Sequence, residues 1–143
     1  SPVLDKILSA DAVFFGTPIY FGEITSQMHA LIERLSFILM TYDDYSKKLF
    51  HGKVNCGCFY TMNVPQEGYE KMYEARMQQS FAVLNKLNGE VVDYASCDTW
   101  QFTDYSKFQT AMFNEEHKRK MREEQFPKDL AAAYQIGQKL CGK

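Results

Sequence analysis

A short apolar run followed by a glycine-bounded loop and an amphipathic helix constrains the fold of this chain more than any other feature. The run AVFF at residues 12–15 has no polar alternation, which predicts a parallel strand over residues 12–16, covered on both faces; the pattern alone also allows a buried helical turn. Residues 16–22, GTPIYFG, then predict a tight loop. After it, apolar residues recur at helical spacing at Met28, Leu31, Ile32, Leu35, Ile38 and Leu39. A loop between a parallel strand and a helix is where open α/β sheets bind ligands.

The segment GTPIYFGEITSQMHALIERL, residues 16–35, resembles the second flavin loop and following helix of the NADPH-dependent FMN reductase and iron–sulfur flavoprotein families. In these families a strand is followed by Gly-Ser/Thr-Pro-x-Tyr-Phe-Gly and then by a helix containing Lys-x-x-x-Asp-Arg. The loop motif is matched at Gly16, Thr17, Pro18, Tyr20, Phe21 and Gly22. On the helix Arg34 is kept, whereas His29 replaces the lysine and Glu33 replaces the aspartate.

The resemblance implies a flavodoxin-like, three-layer α/β/α fold and an FMN-dependent NAD(P)H oxidoreductase of the flavin or quinone reductase type. Nicotinamide would reduce bound FMN, which would pass electrons to a small-molecule acceptor, while the protein supplies position and electrostatics. The resemblance places cofactor contacts in the first loop and, by a weaker match, in the loop after the next strand. The residues concerned are Thr17, Pro18, Ile19, Tyr20, Phe21, Gly22, Thr61, Met62 and Asn63. No catalytic side chain and no metal ligand are predicted, because no acid–base, nucleophilic or metal-binding set is visible.

The eight glycines are dispersed, so the sequence contains no glycine-rich phosphate loop. In the resembled families this loop follows the first of two strands that would precede residue 1. We therefore expect residues 1–143 to form a single flavodoxin-like domain that lacks the first two strands and the phosphate loop. A second hypothesis follows from this expectation: the chain is a non-catalytic fragment or interaction module that does not retain FMN.

Composition narrows the possible partners. A net charge of −2 offers no basic face for nucleic acid, and no apolar run approaches the roughly 20 residues that span a bilayer. Cys56 and Cys58 lie two apart on a predicted strand without a second pair, so we interpret the four cysteines as reduced, buried thiols, with a redox or metal role as the alternative. Because no secretory leader is visible either, we expect a cytoplasmic protein.

Further along the chain the pattern predicts two more parallel strands, at residues 53–61 and 91–95, with helices between and after them. The stripe from Tyr69 to Leu84 predicts one helix, which Asn88-Gly89 would end. The first strand would then lie at an edge of the sheet. We expect a second copy of the chain, as in a dimer or other homo-oligomer, or a preceding segment to cover that edge.

Two segments have open interpretations. The charge run NEEHKRKMREE, residues 114–124, predicts a solvated helix because both signs are interleaved. The aromatic segment around Trp100 is interpreted as a satellite core under a long loop, with a ligand or subunit contact as the alternative.

Overall fold

The computed structural model describes residues 1–142, which form alternating strands and helices. The strands are β1 (Ala12–Tyr20), β2 (Glu23–Ile24), β3 (Val54–Thr61) and β4 (Asn88–Ser96). The α-helices are α1 (Pro2–Ser9), α2 (Ser26–Leu39), α3 (Gln66–Met72), α4 (Glu74–Ser80), α5 (Glu115–Lys120) and α6 (Phe126–Leu140). Two 3-10 helices, Ala82–Leu87 and Tyr105–Lys107, and a π-helical turn, Met121–Gln125, complete the described elements.

The sheet has the strand order β2-β1-β3-β4, and β1, β3 and β4 are parallel. The register places Pro18 of β1 opposite Thr61 of β3, and Thr61 opposite Ser96 of β4. The carboxyl ends of the three parallel strands therefore meet at one rim of the sheet. This arrangement confirms the predicted α/β class with a flavodoxin-like parallel sheet. The short antiparallel strand β2 was not predicted.

Helices pack on both faces of the sheet, as a three-layer fold requires. On one face, Phe15 and Tyr60 pack against Phe81, with ring centroids 6.2 and 5.7 Å apart. On the other face, α6 lies over β3 and β4, and Asn55 Nδ2 donates to the Leu140 carbonyl oxygen at 2.9 Å. The apolar core lies mainly on the first of these faces, which carries the buried apolar residues of β1 and β3.

The structure corrects the predicted strand and loop at residues 12–22. β1 continues to Tyr20 because Ile19 and Tyr20 pair with β2, which leaves a turn of only two residues where a longer loop was expected. β1 is also not covered on both faces, since Phe14, on the same face as α6, is 42% exposed. α2 begins at Ser26, with Thr25 as its N-cap, and Ile38 lies outside its buried stripe.

Three further expectations differ from the structure. The single helix predicted from Tyr69 is divided into α3, α4 and a 3-10 helix, which ends at Asn88 with a φ of 62°. Gly89 does not serve as the cap; a Cβ there would lie 2.0 Å from the Val54 carbonyl oxygen, so the glycine permits close strand approach. The charge run is helical, but Lys118 within it is buried.

The outer edge of β1 is paired with β2 only at Ile19 and Tyr20 among the residues that the structure describes. The covering of the rest of this edge by another chain or segment stays a prediction. None of the helices described within residues 1–142 is long and apolar enough to cross a membrane.

Candidate functional site

The segment from residue 17 to residue 24 forms a tight β-hairpin at the rim of the sheet, which we call the rim hairpin. Its turn consists of Phe21 and Gly22, with φ values of 53° and 78°. Two consecutive residues with positive φ are typical of the type I′ turn, whose twist matches that of the paired strands. The hairpin therefore fixes the direction of every side chain in the predicted cofactor loop.

Strand alternation divides the side chains of the rim hairpin between the core and the solvent. Thr17 and Ile19 are buried, and Pro18 is half-buried. Tyr20 is 61% exposed, and Phe21 at the turn is fully exposed. The two aromatic rings are thus the part of the hairpin that is open to a ligand.

The hydroxyl group of Thr17 is engaged inside the protein. It accepts from the Thr25 N–H at 3.3 Å and donates to the Pro18 carbonyl oxygen at 3.0 Å. The Thr25 hydroxyl in turn accepts from the Met28 N–H at 3.3 Å and caps α2. Thr17 therefore links the hairpin to the start of α2, and its contact with a ligand stays a prediction.

Helix α4 and the residue before it support the back of the hairpin turn. Arg76 donates to Glu23 Oε1 at 3.0 Å and to the Gly22 carbonyl oxygen at 3.4 Å. The ring of Tyr73 lies so close to Gly22 that a Cβ on this glycine would come within 2.5 Å of it. Gly22 is therefore required both by its backbone conformation and by its packing.

The second predicted loop lies next to the rim hairpin, as the opposition of Pro18 and Thr61 requires. Thr61 is exposed, Met62 is buried and Asn63 is half-buried. The side-chain oxygen of Asn63 is buried and has no hydrogen-bond partner among the described residues. The structure therefore brings together the two loops in which the family resemblance places the cofactor contacts.

A buried ion pair lies behind the second loop. Lys118 of α5 and Asp98, which follows β4, are 3% and 5% exposed, and they are hydrogen-bonded to each other. His117 Nε2 lies 2.5 Å from the other carboxylate oxygen of Asp98. Burial by itself raises the pKa of Asp98, but the hydrogen bonds and charges of Lys118 and His117 outweigh it and lower that pKa below its ordinary value.

Sequence reasoning missed both members of this pair. Lys118 lies in a run of alternating charges, which is usually a solvated helix face. The one apolar residue of the run, Met121, is half-buried and comes three positions later, on the same side of the helix as Lys118. That spacing was the available signal that Lys118 faces inward.

Burial leaves three of the thiols unsuited to act as nucleophiles. Cys56, Cys58 and Cys97 are free and buried, and burial raises their pKa values to about 11, about 12 and about 12. The predicted burial is thus confirmed for these three and wrong for Cys141, which is exposed. Their reduced state stays a prediction. Within residues 1–142 no group of three or more His, Cys, Asp or Glu side chains is placed to bind a metal ion.

A cavity of about 750 Å³ lies along β4, beside α3 and the start of α6. Its lining carboxylates are Glu67, Glu74, Asp93, Asp98 and Asp129. Asp129 is buried and accepts from Ser96 Oγ at 2.6 Å and from Tyr94 at 2.8 Å. A lining with so many carboxylates disfavours anions, so this cavity is unsuited to a phosphate group.

The aromatic segment after β4 packs on itself. Tyr105 contacts both Trp100 and Phe102 in edge-on arrangements, with ring centroids 4.8 and 5.3 Å apart. Phe102 also stacks on Phe108 at 4.2 Å. These contacts agree with the satellite-core interpretation.

Comparison with known proteins identifies the family. A family model described as NADPH-dependent FMN reductase matches residues 1–77, more than half of the chain. A solved structure of an NADPH-quinone reductase from P. pentosaceus is similar at 15% sequence identity and a TM-score of 0.46, over 84% of this chain and 67% of that one. No curated protein matches the sequence.

Proposed function

Because the chain belongs to the NADPH-dependent FMN reductase family, we propose that it takes part in NAD(P)H-dependent flavin reduction and binds FMN at the rim hairpin and the adjoining second loop. The electron acceptor would be a small molecule such as a quinone or a free flavin. The observation that carries this proposal is the opposition of Pro18 and Thr61, which joins the two predicted loops at the carboxyl ends of β1 and β3.

The residues at this rim suit the ring system of FMN. Tyr20 and Phe21 offer exposed aromatic surface against which a flat tricyclic ring can pack. Among residues 1–142, the N–H groups of Asn63 and Val64 donate to no protein acceptor, so they remain available to the oxygen and nitrogen atoms of the ring. Bound FMN supplies the hydride and electron transfer chemistry between nicotinamide and acceptor. The protein side chains then bind and orient the ring and limit its contact with water.

A titration of the purified chain with FMN, followed by flavin fluorescence and visible absorption, tests this proposal. We expect Tyr20→Ala and Phe21→Asn each to raise the Kd about two- to tenfold, as the loss of one aromatic contact implies. Asparagine is chosen at the turn because it tolerates a positive φ. Tyr42→Ala, which removes an exposed tyrosine from the loop after α2, is the matched control and should leave the Kd unchanged.

Oxidation of NADH and NADPH by the FMN-loaded chain then tests the reaction, with a quinone as acceptor. Absence of FMN binding by the wild-type chain would refute the proposed site. Equal loss in the Tyr42→Ala control would show that the aromatic residues at the rim have no special role.

The second candidate, a non-catalytic interaction module, is favoured by the absence of a glycine-rich phosphate loop from the sequence. Such a loop supplies charge-assisted hydrogen bonds, each worth about 1.5–3 kcal/mol. A chain that stays colourless after exposure to FMN and desalting would support this candidate.

We also propose that the chain forms a homo-oligomer that covers the open edge of β1. The exposed ring of Phe14 beside that edge supports this proposal. A monodisperse monomer in light scattering at micromolar concentration would refute it.

A further inference from the structure

The main chain of the second loop is held from behind at three successive carbonyl groups. The Met62 carbonyl oxygen accepts from both the N–H and the hydroxyl group of Thr99, each at 3.0 Å. The Asn63 carbonyl oxygen accepts from Lys118 Nζ at 2.8 Å. The Val64 carbonyl oxygen accepts from the Asp98 N–H at 2.8 Å. All three carbonyl groups are therefore directed into the protein.

The same peptide groups leave two consecutive donors free. The N–H groups of Asn63 and Val64 have no acceptor among the residues that the structure describes. A peptide group is planar, so the direction of each carbonyl group sets the direction of the N–H of the next residue. The held carbonyl of Met62 therefore orients the N–H of Asn63, and the held carbonyl of Asn63 orients the N–H of Val64. The hydrogen bonds behind the loop thus aim these two donors away from the interior.

Burying the ion pair of Lys118 and Asp98 costs desolvation free energy. Lys118 and Asp98 both lose hydration, and a buried ion pair is weak evidence for a gain in stability over apolar side chains. The Lys118 side chain, however, holds the carbonyl group of Asn63, and the main-chain N–H of its partner Asp98 holds that of Val64. Asp98 itself has a φ of 56°, which an aspartate or asparagine tolerates better than most residues.

We propose that Lys118 and Asp98 are positioning residues, which aim the N–H groups of Asn63 and Val64 at the acceptor atoms of the flavin ring. This inference rests on the proposed function. The pair touches the loop and does not touch the ligand. It acts by keeping two donors in a fixed direction before the cofactor binds, so no reorganisation is needed at that moment.

The test compares wild type with the double variant Lys118→Met/Asp98→Asn. Methionine keeps most of the length of lysine, and asparagine tolerates the positive φ, so the variant removes the pair without leaving one buried charge alone. Lys120→Met is the matched control, because Lys120 lies on the same helix with 68% of its side chain exposed. The readouts are Kd for FMN, the visible spectrum of bound FMN, and the amide chemical shifts and relaxation of residues 62–64 in the ligand-free protein.

We expect the double variant to stay folded, to bind FMN about tenfold more weakly and to shift the flavin absorption bands, while the control matches wild type. We also expect the amides of residues 62–64 to become more mobile before FMN is added. A folded double variant with wild-type Kd, spectrum and amide mobility would overturn the inference alone. If the wild-type chain binds no FMN, the proposed function fails, and the inference fails with it.

Should the double variant not fold, the amide resonances of Asn63 and Val64 in the wild-type protein test the same arrangement without a substitution. We expect both amides to be rigid in the ligand-free protein and to shift when FMN binds. Amides that are mobile before binding, or that bound FMN leaves unshifted, would overturn the inference.

Discussion

Replacing Gly22 with alanine separates the two reasons for a glycine at the turn of the rim hairpin. The first reason is the backbone, which has a φ of 78° at this position. An L-residue in a left-handed conformation costs about 1–2 kcal/mol. The second is packing, because the new Cβ would lie 2.5 Å from Cε1 and 2.9 Å from Cδ1 of Tyr73. Displacing a packed ring costs about 1–3 kcal/mol.

Together these effects predict that Gly22→Ala lowers the free energy of unfolding by about 2–5 kcal/mol. For a domain of this size, that loss corresponds to a fall in Tm of about 6–20 °C. Chemical denaturation and thermal unfolding, both followed by circular dichroism, measure the two quantities. Gly16→Ala is the matched control, because no atom lies within 4 Å of its added Cβ, and its Tm should stay equal or rise slightly.

A double-mutant cycle with Tyr73→Ala assigns the loss to its causes. If the clash with the Tyr73 ring contributes, the coupling energy between the two substitutions should be about 1–3 kcal/mol. The rest of the loss caused by Gly22→Ala should remain as the cost of the backbone conformation. A Tm for Gly22→Ala within about 2 °C of wild type, which corresponds to a loss of less than about 1 kcal/mol, would refute the packing and backbone argument together. A large loss without coupling to Tyr73 would refute the packing argument alone.

Three further predictions concern the thiols, the buried pair and a close strand contact. Under native conditions an alkylating reagent should modify Cys141 rapidly and the other three thiols, including Cys97, slowly, because only Cys141 is exposed. Mass spectrometry counts the attached labels. Rapid labelling of a second thiol would contradict the structure. The pKa of Asp98 is lower in the folded protein than the value of about 4 in the unfolded chain, so ionised Asp98 stabilises the fold above about pH 4. This stabilisation is lost as the pH falls through the folded-state pKa. The difference in unfolding free energy between wild type and Asp98→Asn should therefore shrink below about pH 4, and urea titrations can measure it. Gly89→Ala should destabilise the protein more than Gly22→Ala, since its Cβ would lie 2.0 Å from the Val54 carbonyl oxygen, and backbone cannot move aside as a side chain can. A Tm for Gly89→Ala equal to or higher than that of Gly22→Ala would contradict this.

The boundaries of β1 show why local patterns misplace an element. The segment GTPIYFG contains two glycines and a proline, which normally interrupt a strand. It stays extended because Ile19 and Tyr20 hydrogen-bond to residues that come after the turn, and because residues up to Pro18 pair with β3. Neither partner can be identified from the composition of the segment itself. Pairing with distant chain overrides local propensity here.

The amino-acid sequence by itself determined the main strands and helices and the family. The apolar runs and the helical spacing between them were enough to predict three parallel strands with helices between and after them. The loop motif of residues 16–22 was enough to predict the family, and the resemblance implied helices on both faces of the sheet. Both conclusions depend on local sequence, because each strand and each turn is encoded by neighbouring residues.

The tertiary structure alone decided which side chains complete the site. Lys118 and Asp98 are 20 positions apart, and Lys118 lies 55 positions from the carbonyl group of Asn63 that it holds. A lysine in a charged helix and an aspartate after a strand have ordinary solvated roles in any local view. They become a buried pair only because α5 packs behind the loop that follows β3. Each charge needs a partner there, because an unpaired charge is costly to bury.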